Sequence, residues 1–310
     1  MDWSKINIQK YVSEVKSKLA LDVSDEIISK DLLLTLILAE FEKEKGVFIE
    51  LIFKGGTLLS RNYLQYHRFS EDLDFVYKES GTLHKLSRKQ RERKIKVFID
   101  TFTQQLKKVA DSVGLDFSTN RSDTKYCSIL HGRTVYTFRM FYAPQRYIKV
   151  EINFVEKLIN KPKEMQIKTI IDFFDSKELL FVLGLTPNNF KVLSYTIDEI
   201  ILEKYRAILT RKTLMERDLF DLYLISNSLR VNTKEVVEKI ESSSLIKREL
   251  AKNIQEKLTL LKEDKFFTSN EKIADLAITK YDPKEFDKFK TKIKPILIEI
   301  SELFLKSLKK

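Results

Sequence analysis

The stretch that decides the fold runs from residue 51 to 77 and reads LIFKGGTLLSRNYLQYHRFSEDLDFVY. The apolar residues 47–53 have the composition of a strand, and the glycine turn 54–57 and a helical octet over 58–65 follow them. Residues 72–77 then alternate with a period of two, as in a strand with one wet and one buried face. The stretch therefore predicts a strand, a glycine turn, a helix and a second strand.

An acidic pair lies at the start of the second predicted strand. The strand period sends Asp72 and Asp74 to one face and Leu73 to the other. Two neighbouring carboxylates repel each other unless a positive charge lies between them, and Mg²⁺ is the hard ion that suits oxygen ligands. The pair therefore indicates a metal site, and the alternative interpretation is a solvated strand face.

The glycine turn places a phosphate-binding feature close to this acidic pair. Gly55 and Gly56 allow backbone N–H groups and a helix N-terminus to approach a triphosphate closely. The Thr57 hydroxyl either contacts a phosphate or caps the helix. Lys54 and Arg68 supply positive charge nearby. The glycine turn and the acidic pair together favour a site for a metal-bound triphosphate.

A third carboxylate is needed if two metal ions are to bridge the attacking and leaving oxygens. Glu151 is the best candidate, because it lies on the polar face of a predicted strand whose Val150 and Ile152 point to the core. The alternative is an ordinary exposed glutamate on a strand.

Charged residues recur on two predicted helices in the second half of the chain. A capping box at 196–199 opens a helix on which Lys204 and Arg211 share one face. On the next helix, Asp218 and Asp221 share a face at a spacing of three. These four residues predict either a salt-bridged helix pair or a group that neutralises triphosphate charge.

The remaining periodicities divide the chain into two parts. Ser24 is the expected N-cap of a helix over 25–45. Further predictions are a helix over 86–113, strands over 126–130, 134–142 and 147–154, and mainly helical structure after Pro162, including 214–229 and 233–310. We predict an α+β domain over 1–160 and a mainly helical domain over 161–310.

Composition excludes several classes of protein. With 310 residues, 43% hydrophobic content and only 7 Gly and 5 Pro, the chain is long and apolar enough for a buried core. A single cysteine, Cys127, and three histidines exclude a disulfide framework and a thiolate zinc site, so oxygen ligands must hold any metal. We find no signal peptide and no apolar stretch of membrane-spanning length, and we expect a cytoplasmic protein without membrane contact.

The charge balance favours a polyanionic partner. Lys and Arg number 56 against 45 Asp and Glu, giving a net charge of +11. Seven basic residues cluster at the start of the predicted helix over 86–113: Lys85, Arg88, Lys89, Arg91, Arg93, Lys94 and Lys96. Positive charge there opposes the helix dipole, so the cluster either contacts phosphates or is a solvated face.

The motifs together resemble the AbiEii-type nucleotidyltransferase toxins of bacterial abortive-infection and toxin–antitoxin systems, which include the mycobacterial MenT toxins. The stretches that carry the resemblance are 30–35, 53–57 with 68–75, 195–211 and 217–223. The resemblance implies a polymerase-β-like mixed sheet with flanking helices, followed by a helical C-terminal domain. It also implies transfer of a nucleotidyl group from a nucleoside triphosphate, with Mg²⁺ or alternatively Mn²⁺ and with release of pyrophosphate.

The resemblance also suggests roles and partners. Asp72, Asp74 and Glu151 would hold metal, and Glu151 would orient or deprotonate the acceptor hydroxyl. Lys204 and Asp218 would be catalytic from the helical side. The nucleotide would be bound by Lys54, Gly55, Gly56, Thr57, Arg68, Arg211 and Asp221. The acceptor would be tRNA, at its 3′ end, or another RNA, and the partner an AbiEi-like winged-helix antitoxin.

Two other functions remain open on the sequence. The same fold could act on a small molecule or a protein hydroxyl, in which case competitor RNA should not affect activity. A non-catalytic nucleic-acid-binding protein would show salt-dependent binding that survives loss of Asp72. A basic groove gains nothing from paired carboxylates that repel phosphate without a metal, so we favour the enzyme.

Overall fold

The computed structural model describes residues 8–19, 23–130, 132–173, 191–226, 231–242, 247–268 and 281–308. The chain forms two compact units. The first comprises Met1–Val155 and Pro162–Tyr195, and the second comprises Glu156–Lys161 and Thr196–Lys310. The division into domains at residue 160 stays a prediction, because compactness alone does not test independent domains.

The first unit contains a seven-stranded mixed sheet. Its strands are β1 (Leu51–Lys54), β2 (Asp72–Tyr77), β3 (Cys127–Leu130), β4 (Val135–Ala143), β5 (Arg146–Asn153), β6 (Lys163–Gln166) and β7 (Lys191–Ser194). The order across the sheet is β3-β4-β5-β2-β1-β7-β6. Strand β2 is parallel to β5 and β1 is parallel to β7, while the other neighbours are antiparallel. The predicted α+β fold with a mixed sheet is confirmed.

The helices described in the first unit are α1 (Ile8–Leu19), α2 (Asp25–Glu44), α3 (Gly55–Leu58), α4 (Ser80–Leu83) and α5 (Arg88–Ser112). Helices α2 and α5 pack against one face of the sheet. The ring of Phe41 in α2 lies 5.9 Å from that of Phe75 in β2, and Phe102 in α5 lies 5.2 Å from Phe138 in β4. Each such buried ring contributes about 1.5–3 kcal/mol. The face opposite Asp72 and Asp74 is therefore the core face.

Helix caps follow the sequence closely. Ser24 accepts a hydrogen bond from the Ile27 N–H at the start of α2, as predicted. Helix α5 begins with a capping box between Ser87 and Gln90, which offsets part of the unfavourable basic charge in its first turn. These local signals explain why the predicted helices over 25–45 and 86–113 are confirmed.

Two predictions for the first unit differ from the structure. Residues Gly46–Glu50 form a short 3₁₀ helix, so the strand expected over 47–53 begins only at Leu51. The prediction of helix after Pro162 is wrong over 163–166 and 191–194, which are strands β6 and β7. Four residues are too few to show a period, and these strands are defined by sheet pairing.

The second unit is helical, as predicted for the C-terminal part of the chain. Its helices are α6 (Ile197–Thr210), α7 (Glu216–Leu224), α8 (Thr233–Ser242), α9 (Lys247–Lys262) and α10 (Pro283–Ser307). Thr196 caps α6 by accepting from the Glu199 N–H. Residues 227–230, 243–246, 269–280 and 309–310 of the predicted helical region lie outside the described residues. In the described part of the chain, no helix is both long and apolar enough to cross a bilayer.

A buried ionic cluster stabilises the second unit. The Lys239 ammonium lies 2.9 Å from Glu156 and 2.6 Å from Glu199, and all three side chains are fully buried. Glu199 also accepts hydrogen bonds from the backbone N–H groups of Ile159 and Asn160. Buried ion pairs and hydrogen bonds therefore hold the segment 156–161 against helices α6 and α8.

Candidate active site

Four charged side chains share one face of the sheet where β2 lies beside β5. The register pairs Asp72 with Lys149 and Asp74 with Glu151. Because the side-chain period of a strand is two, paired residues in register point to the same side. Leu73, between the two aspartates, is fully buried on the opposite side. The structure thus brings the three predicted carboxylates to one face.

Lys149 supplies the positive charge on this acidic face. Its Nζ lies 2.9 Å from Asp72 Oδ2 and 4.0 Å from Glu151 Oε2, and these side chains are each about 30% exposed. Burial alone would lower the pKa of Lys149, but the carboxylates of Asp74, Asp72 and Glu151 outweigh it, so the pKa is raised. Lys149 is therefore held in its charged form between the carboxylates.

Lys149 is not among the site residues predicted from the sequence. The sequence feature that could have identified it is its position two residues before Glu151, on the same face of the strand. Among the described residues, no group of three or more His, Cys, Asp or Glu side chains is arranged to hold a metal ion. The ammonium of Lys149 stands beside the carboxylates instead, so a divalent ion there would have to compete with it.

The glycine turn packs directly on the acidic strand. Strand β1 pairs with β2 so that Lys54 lies opposite Asp74. Gly55 has φ +83°, and a side chain there would overlap the Asp74 carboxylate and lie 2.9 Å from Asp74 Cβ. A Cβ on Gly56 would lie 2.8 Å from Arg68 Nη2. The positive φ and the contact with Asp74 Cβ require glycine at 55, whereas a side chain at 56 would require the end of the Arg68 side chain to shift.

Thr57 and Arg68 also have defined structural contacts. The Thr57 hydroxyl donates a hydrogen bond to the Asp72 backbone carbonyl and does not cap the helix. Arg68 is 3% exposed, and its Nη1 donates to the Phe69 carbonyl at 2.7 Å. Lys54 is also buried. These contacts fix the turn against β2, and phosphate binding by the three residues stays a prediction.

The other predicted site residues meet in the second unit. Lys204 Nζ on α6 lies 2.7 Å from Asp218 Oδ1 and 2.6 Å from Asp221 Oδ2 on α7. Arg211 forms a second ion pair with Asp218. Lys204 and both aspartates are buried, whereas the Arg211 side chain is 45% exposed. The four residues form one cluster with two positive and two negative charges.

This cluster perturbs the titration of Asp218. Burial alone would raise the pKa of Asp218, but the charges of Lys204 and Arg211 outweigh it and lower the pKa. Asp218 therefore stays ionised, and the ion pairs stabilise the fold only while it remains so. The cluster is a salt-bridged helix pair, and Arg211 is its accessible member.

The basic stretch at the start of α5 is partly paired. Arg88 Nε lies 2.9 Å from Glu92, and Lys94 forms an ion pair with Glu79. The side chain of Arg88 is 80% exposed. Exposed pairs of this kind contribute little to stability, so the stretch has the properties of a solvated basic face. Its contact with RNA stays a prediction.

Comparison with known proteins identifies the family. The family model "Nucleotidyl transferase AbiEii toxin, Type IV TA system" matches residues 36–302. The chain belongs to the AbiEii nucleotidyltransferase toxin family. The match includes every predicted site residue, from Lys54 to Asp221. No curated protein matches this chain in sequence.

A solved structure is similar to this chain over most of its length. The chain resembles MenT4, a nucleotidyltransferase toxin of Mycobacterium tuberculosis H37Rv, with 14% identity and a TM-score of 0.45. The similarity covers 94% of this chain and 98% of that protein. As a member of the AbiEii family, the chain is an enzyme that transfers nucleotides. It is the toxin of a type IV toxin–antitoxin system, which also includes an antitoxin. The predicted recognition and enzyme class are confirmed.

Proposed function

We propose that this AbiEii toxin is a Mg²⁺-dependent enzyme that transfers a nucleotidyl group from a nucleoside triphosphate to an RNA acceptor, such as the 3′ end of tRNA. The observation that carries the proposal is the acidic face of β2 and β5 beside the glycine turn. Attack of a terminal hydroxyl on the α-phosphorus forms a phosphodiester bond and releases pyrophosphate. The basic composition suits an acceptor of high negative charge.

The chemistry of the donors, although not their present arrangement, suits a hard divalent cation. Asp72, Asp74 and Glu151 offer only oxygen ligands, and the Lys149 ammonium already lies beside two of them. Bound Mg²⁺, or Mn²⁺ in its place, would stabilise negative charge on the α-phosphate under attack and on the departing pyrophosphate. We assign metal binding to these three carboxylates and assign orientation or deprotonation of the acceptor hydroxyl to Glu151.

The remaining predicted residues would bind the nucleotide. We assign the triphosphate to the backbone N–H groups of Gly55 and Gly56, with charge from Lys54 and Arg68 and a polar contact from Thr57. In the second unit, we assign phosphate binding to the Lys204 and Arg211 cations. Asp218 and Asp221 hold Lys204 within 2.7 Å and thus position it.

Membership of the family supports a proposal for the biological setting. We propose that the antitoxin of this type IV system is an AbiEi-like winged-helix protein and that the pair acts in antiviral defence by abortive infection. We also propose that the enzyme modifies tRNA in the cytoplasm and thereby stops translation. Coexpression with such an antitoxin should restore growth that the toxin alone arrests.

Labelled nucleotides provide the direct test. Purified protein is incubated with each of the four α-labelled NTPs, total tRNA and either Mg²⁺ or EDTA, and the labelled products are separated. We expect Mg²⁺-dependent labelling of RNA that Asp72→Asn abolishes and that Asp111→Asn, a control at an exposed acid of α5, leaves unchanged. Label on protein or a small molecule would overturn the RNA acceptor, and no transfer with any NTP would overturn the proposed activity.

A further inference from the structure

A basic cavity lies within the second unit and adjoins the cluster of Lys204 and the aspartates through Arg211. It has a volume of about 770 Å³ and is lined by the loop 211–215 and by residues 252–268 of α9 and the segment that follows. Sites for small ligands commonly have volumes of about 300–1,000 Å³. Five basic side chains and one acidic side chain line it: Arg211, Lys212, Lys252, Lys257, Lys265 and Glu256.

The positive charges of the cavity are not balanced by nearby acids. Lys265 pairs with Glu263 at 2.9 Å, Lys252 lies 3.9 Å from Glu256, and Arg211 pairs with Asp218. Five basic side chains against these three carboxylates leave an excess of two positive charges. The cavity therefore offers a favourable electrostatic environment to a ligand with at least two negative charges.

Lys257 lies inside the cavity, close to its other positive charges. Its side chain is 5% exposed, and its Nζ donates a hydrogen bond to the Ile208 carbonyl. Burial, together with repulsion by Arg211, lowers the pKa of Lys257 to about 8. An anion near Lys257 would relieve both the burial cost and the repulsion.

The cavity also has an apolar part. Leu214, Met215 and Leu260 line it, and Leu260 is 39% exposed although it is a large hydrophobic residue. A simple inorganic anion gains nothing from these side chains. A nucleotide strand carries phosphates for the cations and flat bases for the apolar surface, which is the usual combination in single-strand recognition.

We propose that this cavity binds the phosphates and a base of a single-stranded RNA end. The inference rests on the proposed function, because it names the place on the second unit where the acceptor strand is held. Arg211 belongs both to the cavity and to the cluster assigned to the nucleotide. This shared residue favours a nucleotide strand over an acidic protein segment as the occupant.

The test measures RNA binding without catalysis. The double variant Lys212→Glu and Lys252→Glu reverses two exposed charges of the cavity, and Lys288→Glu with Lys292→Glu makes the same change on the exposed face of α10. Binding of a fluorescent single-stranded RNA ending in CCA is followed by anisotropy in EDTA over a range of salt concentrations. Thermal unfolding confirms that each variant is folded.

We expect the cavity variant to bind RNA at least 10-fold more weakly. Its slope of log affinity against log salt should fall by about 1.4, because each lost phosphate contact accounts for about 0.7 in single strands. The α10 control should keep both the affinity and the slope of the wild type. Binding of a fluorescent NTP should be the same in all three proteins.

The other outcomes overturn the proposal. Unchanged RNA affinity in the cavity variant would exclude the cavity as the RNA site, even if the wild type transfers nucleotides to RNA. Loss of NTP binding in place of RNA binding would make it a free-nucleotide site, and displacement of RNA by an equal concentration of polyglutamate would make it a general polyanion site. Loss of RNA binding without any nucleotidyl transfer by the wild type would support the cavity and overturn the proposed function.

Discussion

Replacement of Lys149 by methionine tests whether the lysine is the counter-charge of the acidic face. Methionine keeps an unbranched side chain of similar length but removes the ammonium that lies 2.9 Å from Asp72 and 4.0 Å from Glu151. The ion pair with Asp72 and the weaker one with Glu151 would then be lost. We expect the variant to be less stable than the wild type in the presence of EDTA.

The expected loss of stability follows from the distances between the charges and from the exposure of the three side chains. A pair of unit charges 4 Å apart interacts with about 4 kcal/mol at an effective dielectric constant of 20. Because Lys149 and its two partners are each about 30% exposed, water screens the pairs, and we discount the loss to about 1–2 kcal/mol. For 310 residues with an unfolding entropy of about 2.1 cal/mol/K per residue, that corresponds to a melting temperature lower by about 1.5–3 °C.

Divalent metal should remove most of this difference in stability. In the wild type, the ammonium repels an incoming cation and is already paired with Asp72. In Lys149→Met this competition is absent, so we expect Mn²⁺ and Mg²⁺ to bind about 10-fold more tightly, which adds about 1.4 kcal/mol of stabilisation at high metal concentration. The raised pKa of Lys149 adds a pH dependence. The wild-type stabilisation should be complete below the unfolded pKa and disappear as the pH rises through the higher native pKa.

Thermal unfolding in EDTA and during a Mn²⁺ titration, together with calorimetry, measures both effects. Lys163→Met, at an exposed position of β6, provides a control that removes a lysine from the same sheet but away from the acidic face. Equal stability of Lys149→Met and the wild type in EDTA, with equal metal affinity, would refute the role of Lys149 as counter-charge. A fall in metal affinity would instead make Lys149 a supporting part of the metal site.

Three further predictions concern other parts of the structure. Gly55→Ala should abolish transferase activity, because its methyl group would overlap the Asp74 carboxylate, whereas Gly81→Ala, with nothing within 4 Å, should keep it in the same assay. Lys239→Met should lower the free energy of unfolding in urea by about 3–5 kcal/mol, because it removes the cation that two fully buried carboxylates share. Wild-type stability should rise relative to Lys257→Met between pH 8 and about 10.4, because the lowered pKa of Lys257, about 8, makes the unfolded state bind more protons in that range.

Local sequence signals predicted the parts of the site that lie on single elements. The alternation in 72–77 predicted β2 with its correct bounds, and with it the common face of Asp72 and Asp74. The capping box at 196–199 predicted the start of α6, and the spacing of Asp218 and Asp221 predicted their common face on α7. Such features depend on the period of one element and on its cap, both of which a sequence displays directly.

Strand pairing between segments that are far apart in the sequence was harder to predict. Strands β6 and β7 each have four residues, and their place in the sheet depends on neighbours far away in sequence. Lys149 was seen only as a polar neighbour of Glu151, because its contact with Asp72 requires the register between β2 and β5. A sequence carries no local signal for parallel register, which the packing of both faces of the sheet decides.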